Sequence, residues 1–378
     1  MIWITLAACS PQELAPPGPD ELGFLTSFGA RNDDQVGGVA ILEDGGAVVA
    51  MVRANPSLPD LIVTRLDADG MPLWEDIWKR PFAEEVHAVV IEGSRARVAA
   101  GVWDRTDPVT VDISAAVVDF DLQTGQVEET PWEWNPSGER DRTTDLIGQG
   151  DTVLAVGWAG PDGMLARVGD NGDWVDRTVW DTGLREEIEA GTVVGDRLYV
   201  TGRTKDELEQ DDWGQLVVAS FDTADLSLEW TLSWGEGYRA RDVGHGIAAV
   251  GTVLVVVGEN GFGDAVVLGV DLSGDLLWED LYDSGGEDVA RQVVMEPEGT
   301  ALVAIDADGS TLLRRIDPAN GSVLDELVLD GIRRITNDLK VSDTLACLGG
   351  AEEGGVDNAL QAVAFCLDRV TLTLPTRG

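Results

Sequence analysis

Acidic side chains recur at regular intervals along this sequence, each followed at once by an apolar residue. The six residues with this pattern are Glu85, Asp145, Glu187, Asp242, Asp288 and Asp338. If the repeats close into a ring, these carboxylates would encircle the mouth of a channel and could hold cations or a basic peptide. Each could equally accept hydrogen bonds from the backbone of its own turn or of a neighbouring repeat. We favour the structural role, because a functional site usually breaks symmetry.

Two short segments place aspartates at alternate positions before a glycine, a spacing that can direct oxygen atoms to calcium. These segments are Asp67-Ala68-Asp69-Gly70 and Asp306-Ala307-Asp308-Gly309. Both stop short of the later glutamate that completes a calcium-binding loop. Calcium is therefore the one cofactor that we consider, and a turn stabilised by aspartate is the favoured interpretation of Asp67, Asp69, Asp306 and Asp308.

Nucleophilic catalysis and zinc binding both require histidine or cysteine close to other reactive groups. The chain has only two histidines, His87 and His245, and its three cysteines are scattered. It also lacks a G-x-S-x-G nucleophile motif. We therefore predict no catalytic residue and no zinc site. The alternative is a hydrolase or lyase that uses carboxylates together with the nearby arginines Arg142, Arg185, Arg241 and Arg334.

The net charge is strongly negative, with 26 basic and 69 acidic residues and a formal value of -43. Nucleic-acid binding through a general basic face is excluded, because phosphate repulsion would dominate. Lysine occurs only at Lys79, Lys205 and Lys340. This composition is typical of salt-adapted proteins and equally of acidic secreted proteins from GC-rich genomes, and metal binding is a third explanation.

A unit of strand, turn and strand recurs seven times at a mean spacing of roughly 50 residues, which is the size of a four-stranded propeller blade. In three units a turn with Asp and Gly precedes two tryptophans, as in residues 66–78, and other units keep the turn with one tryptophan or with apolar substitutes. A short apolar run that often ends in glycine lies upstream, and almost no segment has helical periodicity. The sequence predicts an all-β fold, a single seven-bladed β-propeller of four-stranded antiparallel blades over residues 24–378.

The first apolar segment of this region has no blade of its own. Phe24–Phe28 is similar to Leu277–Tyr282, which reads as the outermost strand of a blade. We expect it to complete the last blade and close the ring. Val370–Leu374 is the alternative occupant of the same place.

The N-terminal residues resemble a bacterial lipoprotein signal. Leu6-Ala7-Ala8-Cys9 is similar to a lipobox, after whose cleavage Cys9 would carry lipid, and residues 10–23 predict a proline-rich tether. The apolar stretch is short for a signal peptide and no basic residue precedes it, so a chance match is the alternative. We expect residues 1–9 to be a signal remnant. The propeller would then be an outer-membrane-anchored lipoprotein of the bacterial envelope, on its periplasmic side or at the surface.

Cys347 and Cys366 lie on the predicted second and third strands of the last blade. Antiparallel neighbours at this spacing stand side by side, so in an oxidising compartment they would form a disulfide. Two buried thiols are the alternative.

The acidic entry, the strand ending in glycine and the Asp-x-x-Gly turn before tryptophan together resemble SBBP-type repeats of bacterial extracellular propellers. Over residues 24–374 they are also similar to the tryptophan repeats of pyrroloquinoline-quinone propellers. The second resemblance implies that four tryptophans pack between blades, namely Trp78, Trp134, Trp180 and Trp234. It also implies a vicinal disulfide for quinone chemistry, and the chain has no adjacent cysteines.

Together these features favour a non-catalytic, monomeric module that presents its loops to a protein or glycan partner. The long loops are residues 54–60, 104–112 and 205–214, and Trp213 in the last of these would be an anchor unless it folds back onto its blade. A calcium-dependent adhesion module is a further alternative.

Overall fold

The computed structural model describes residues 3–5, 23–28, 35–53, 60–78, 83–104, 112–127, 132–135, 140–149, 152–169, 173–205, 213–235, 240–330, 332–333, 338–353 and 360–372. Within these residues the chain is all-β, and thirty strands form seven sheets. None of these residues forms a helix with the length and apolarity that crossing a bilayer requires.

Blades one to six are each built from four consecutive antiparallel strands. The first strands are β3 (Gln35–Ile41), β7 (Ala83–Glu92), β11 (Asp141–Gln149), β15 (Arg185–Val194), β19 (Val243–Val250) and β23 (Asp288–Met295). The second strands are β4 (Ala47–Arg53), β8 (Arg95–Asp104), β12 (Thr152–Ala159), β16 (Arg197–Lys205), β20 (Val253–Glu259) and β24 (Ala301–Ala307). The third strands are β5 (Asp60–Leu66), β9 (Asp112–Asp121), β13 (Asp162–Val168), β17 (Gln215–Asp222), β21 (Ala265–Asp271) and β25 (Ser310–Ile316). The fourth strands are β6 (Pro72–Trp78), β10 (Trp132–Trp134), β14 (Trp174–Trp180), β18 (Leu228–Trp234), β22 (Leu276–Tyr282) and β26 (Val323–Asp330).

Blade seven joins the two ends of the chain and closes the ring. It contains β27 (Ile332–Arg333), β28 (Leu339–Val341), β29 (Leu345–Glu353), β30 (Leu360–Asp368), the N-terminal strand β2 (Gly23–Phe28) and, parallel to β2, the short strand β1 (Trp3–Thr5). β2 pairs antiparallel with β30, so the predicted closure by Phe24–Phe28 is confirmed. Val370–Leu374 was the alternative for this place, and its described residues lie in a turn over residues 369–372.

The first strands of successive blades contact one another around the whole ring, from β3 through β23 to β28 and back to β3. They therefore line a central channel. Second and third strands, such as β20, are buried on both faces because each blade is covered by two neighbours. The outermost strands, such as β22, contain exposed and half-buried residues instead. Each hydrophobic cluster accordingly draws residues from adjacent blades.

Tryptophans on the outermost strands hold neighbouring blades together. Near the start of the strand, Trp74, Trp230 and Trp278 donate from their indole nitrogens to the turn of the next blade, at Leu122 O (2.9 Å), Leu272 O (3.2 Å) and Pro318 O (2.8 Å) respectively. At the strand ends, Trp78 and Trp180 are buried and Trp134 and Trp234 pack against the clusters between blades, as predicted.

Candidate functional site

A β-bulge interrupts the innermost strand of each of blades one to six, so one residue per strand is skipped in the pairing with the second strand. The skipped residues are Gly37, His87, Thr144, Glu189, His245 and Arg291. Bulges re-aim side chains and are frequent beside active sites. The same bulge, repeated from blade to blade, thus places Glu189, Arg291, His87 and His245 at one level of the channel.

Five of the six acids predicted to encircle the channel mouth lie at different distances along the strand from these bulges, and the sixth, Asp338, directly precedes β28 in blade seven. Glu85 and Glu187 lie two residues before the skipped residue, Asp242 and Asp288 lie three before it, and Asp145 lies one after it. The structure therefore does not bring the six together as a single ring. An acid followed by an apolar residue looks the same in every blade. The pattern therefore does not show how far each acid lies from the bulge of its strand.

Asp242 and Asp288 bind backbone and hydroxyl groups near their own blade entries. Asp242 is buried and accepts a hydrogen bond from Gly261 N at 3.0 Å. Asp288, also buried, accepts from Ser284 N at 2.5 Å and Ser284 Oγ at 2.7 Å. These contacts give both residues a structural role.

Asp145 and Asp338 connect the innermost strands of neighbouring blades. Asp145 Oδ2 accepts from Gly191 N of blade four at 3.0 Å, and Asp338 Oδ2 accepts from Val39 N of blade one at 2.9 Å. Burial raises the pKa of Asp145 to about 6, and burial also raises the pKa of Asp338. Lys340 opposes both shifts, and its Nζ lies 2.6 Å from Asp338 Oδ1.

Glu187 is the centre of a charged cluster in the channel mouth. Its carboxylate lies 2.8 Å from Arg185, 2.5 Å from Arg203 and 3.5 Å from Lys205. Burial alone would raise the pKa of Glu187, but the three cations outweigh it and hold the pKa below its usual value. Three cations thus contact the same carboxylate.

Glu189, the skipped residue of blade four, behaves in the opposite way. Burial, reinforced by the charge of Glu187, raises its pKa to about 7, although Arg203, Arg142 and Arg291 oppose the shift. Arg142 belongs to blade three and Arg291 to blade six, so Glu189 faces the space that these blades share. Near pH 7 it can therefore exchange a proton.

On the blade-two side of the mouth, Glu85 pairs with Arg142 at 3.0 Å and lies 3.5 Å from His87. The Arg142 guanidinium stacks 5.1 Å from the ring centre of Trp158, and the Arg185 guanidinium lies 5.9 Å from the same ring. The indole therefore helps to orient two arginines toward the channel.

On the opposite side, Glu259 lies 3.4 Å from both His245 and Arg241. Burial lowers the pKa of His245 and Arg291 adds to the effect, although Glu259 opposes it, so the imidazole is neutral near pH 7. Arg291 pairs with Asp306 at 3.1 Å.

Below the bulges the channel contains a cavity of about 530 Å³. Its walls come mostly from the innermost strands of blades four to seven, including Ala190, Ile247 and Val293, and they expose more polar than apolar surface. Asp145, Asp338 and Lys340 supply charged groups. A small ligand that entered the mouth could extend into this space.

The structure shows the surroundings of Asp67, Asp306 and Asp308, three of the four aspartates considered for calcium. Asp67 accepts from Asp69 N at 3.0 Å and Met71 N at 2.8 Å, so it stabilises its own exposed turn. Asp306 pairs with Arg291, and Asp308 has a left-handed φ of 37° in the tight turn after β24. The structure thus gives Asp67 and Asp306 contacts that need no metal.

The remaining predicted sites lie away from the channel mouth or outside the described residues. Cys347 and Cys366 are direct partners on β29 and β30 and are joined by a disulfide. Trp213 is 37% exposed, beside Gly214 whose N–H bonds to Ala240 O. Cys9, Arg334 and most of the three long loops lie outside the described residues.

The sequence matches no protein-family model and no curated protein. Solved structures, in contrast, resemble the fold. A protein of unknown function from Dyadobacter fermentans is 12% identical over 91% of this chain and 97% of its own, with a TM-score of 0.51. The Dos1 propeller is 10% identical over 89% and 92%, also at 0.51.

The β-propeller domain of the Trilobed protease from Pyrococcus furiosus, which has an open velcro topology, is 9% identical over 92% of this chain and 100% of that domain, with a TM-score of 0.53. At these identities the likeness concerns the fold alone. The class of protein is therefore a seven-bladed β-propeller, and its activity must be argued from the channel.

Proposed function

We propose that this chain is an extracytoplasmic binding propeller that receives an anionic group of its ligand in the channel mouth, and that a lipid on Cys9 tethers it to the bacterial envelope. The observation that carries this proposal is the cluster in which Arg185, Arg203 and Lys205 share the single carboxylate of Glu187. A carboxylate or phosphate that entered the mouth would meet three charged donors that converge on one point.

The distribution of basic residues supports the same ligand class. In a chain of net charge -43, at least seven of the 26 basic residues lie in the channel or at its mouth. They are Arg142, Arg185, Arg203, Lys205, Arg241, Arg291 and Lys340. An acidic surface repels anions, so an anion would bind where these basic residues lie, in competition with the channel acids that they pair with.

The location rests on two further features. The Cys347–Cys366 disulfide supports an oxidising compartment. The lipobox-like Leu6-Ala7-Ala8-Cys9 supports lipid attachment. A protein or glycan with an exposed carboxylate is the partner that fits, and the repeat pattern supports a relationship to SBBP-type propellers.

The proposal is tested by calorimetric titration of the full chain with glucuronate, inorganic phosphate and neutral glucose at constant ionic strength. We expect the two anions to bind and glucose not to bind. Lys205→Gln, which leaves Glu187 two arginine partners, should weaken binding about tenfold, or roughly 1.4 kcal/mol. Arg53→Gln, at an exposed pair with Glu75 on blade one, is the matched control and should bind normally. Equal affinity in the native protein and Lys205→Gln would refute the proposal.

A hydrolase or lyase is the second candidate, favoured by Glu189. A carboxyl group with a pKa of about 7, surrounded by arginines in an asymmetric mouth, has the properties of a general acid or base. Release of nitrophenol from p-nitrophenyl glucuronide, lost in Glu189→Gln while binding of glucuronate persists, would establish this second function. Binding without turnover in both proteins would exclude it for this substrate class.

A further inference from the structure

A separate group of acidic side chains lies where blade three meets blade four. Asp162 begins β13, Asp181 directly follows β14, and Glu186 lies near the start of β15. One carboxylate oxygen from each lies within 4.8 Å of the other two. Three carboxylates at these separations repel one another unless a cation or protons neutralise them.

Glu186 provides an observation that is independent of this clustering. Its side chain is fully buried, and Oε2 has no hydrogen-bond partner among the residues that the structure describes. Thr182 is the hydrogen-bond partner of this carboxylate, and the hydroxyl of Thr182 donates to Oε1. Native proteins rarely leave a buried carboxylate oxygen unsatisfied, because its lost hydration is not replaced, and a bound ion is one way to satisfy such an atom.

We propose that Asp162, Asp181 and Glu186 form a divalent-cation site, suited to Ca²⁺, that joins blade three to blade four. Calcium binds oxygens at about 2.3–2.6 Å, so two ligands on opposite sides of one ion are at most about 5 Å apart. The observed limit of 4.8 Å satisfies this geometry. Waters would complete the six to eight ligands that calcium takes.

The position of this site connects it to the channel mouth. Arg185 and Glu187, two members of the charged cluster, flank Glu186 in β15. A cation bound to Glu186 and Asp181 would hold the chain entering β15, and so restrict where these two side chains stand. The cation is thus a positioning element for the mouth, and the site exists whether or not the mouth binds an anion.

Terbium luminescence tests the site directly. Tb³⁺ replaces Ca²⁺ at oxygen ligands, and the buried Trp180, adjacent in sequence to Asp181, serves as the sensitiser when the indole is excited. We expect a saturable signal from the full chain that Ca²⁺ displaces. Asp181→Asn changes an exposed side chain and should weaken Tb³⁺ binding at least about tenfold. A tenfold loss of metal affinity is the lower end of what is measured when residues around a metal site are substituted. Glu186→Gln should abolish Tb³⁺ binding.

Asp69→Asn is the matched control, because Asp69 is an exposed turn aspartate far from blade four in the sequence. It should bind Tb³⁺ as the native protein does. Ca²⁺ should also raise the melting temperature of the native protein and of Asp69→Asn, but not of Asp181→Asn. The proposal fails if no saturable signal appears, if Asp181→Asn binds with native affinity, or if Asp69→Asn is the variant that loses binding.

Discussion

At the scale of single residues, two neighbouring glutamates of β15 acquire opposite properties from their surroundings. Glu187 touches three cations, which hold its pKa below the usual value, whereas Glu189 is half-buried near Glu187 and has a pKa raised to about 7. The sequence predicted Glu187 as a channel residue but missed Glu189, Arg203, Lys205 and Glu259. Their placement depends on a bulge and on the second strand, and no local sequence signal reports which residue a bulge will re-aim.

The raised pKa of Glu189 predicts how stability depends on pH. A carboxyl group whose pKa is higher in the folded than in the unfolded state stabilises the fold while it is protonated, and this contribution is lost as the pH rises from about 4.5 to about 7. Asp145, with a folded pKa of about 6, acts in the same direction. We therefore expect the free energy of unfolding to fall between pH 5 and pH 8.

Urea unfolding of the native protein and of Glu189→Gln at several pH values in this range measures how much Glu189 contributes to the pH dependence of the free energy of unfolding. The variant cannot ionise at this position, so its stability should fall less steeply with rising pH. Glu75→Gln, on the outermost strand of blade one, should retain the native slope. Parallel slopes for native protein and Glu189→Gln would mean that Glu189 does not titrate as the structure implies.

At the scale of the elements, the turn between third and fourth strands and the tryptophan of the preceding blade form one unit. The repeated Asp, Gly and Trp made the blades and their number predictable from the sequence. The partner of each tryptophan was not predictable, because the indole bonds to the turn of the next blade about 40 residues away or more.

Gly274 tests this unit. Its φ is 97°, and a Cβ there would lie 2.9 Å from the Trp230 ring, so Gly274→Ala combines backbone strain with a clash. Gly299 has a similar φ of 86°, and no atom of the described part of the chain lies within 4 Å of the added Cβ, so Gly299→Ala reports strain alone. We expect Gly274→Ala to lose about 1–3 kcal/mol more than Gly299→Ala in urea unfolding. Equal losses would show that the indole does not pack on the turn.

At the scale of the whole molecule, the ring is closed by pairing the N-terminal strand with the last one. The similarity of Phe24–Phe28 to an outermost strand predicted this pairing. Phe24 and Phe28 are buried in a cluster that also includes residues of blade one, such as Val49 and Ile62. β2 therefore links blade seven to blade one both by hydrogen bonds and by packing.

Truncation measures the strength of this closure. Residues 23–378 retain β2, whereas residues 29–378 lack it and expose an edge of β30. Loss of the two buried phenylalanines alone should cost more than about 5 kcal/mol, since each large-to-small change of a buried aromatic costs about 3–5 kcal/mol. We expect the shorter chain to melt at a much lower temperature, whereas similar melting temperatures would show that the ring does not depend on β2.

Anion binding in the channel mouth is the central proposal, and proton NMR of the two histidines tests it most directly. His87 and His245 are the only histidines in the chain and both lie in the mouth, so their ring signals need no isotope label to be assigned to this region. Phosphate added at constant pH and ionic strength should shift both signals in a saturable manner in the native protein and in Arg53→Gln, with about tenfold weaker binding in Lys205→Gln. Histidine signals that do not respond to phosphate, or that respond equally in Lys205→Gln, would contradict the claim.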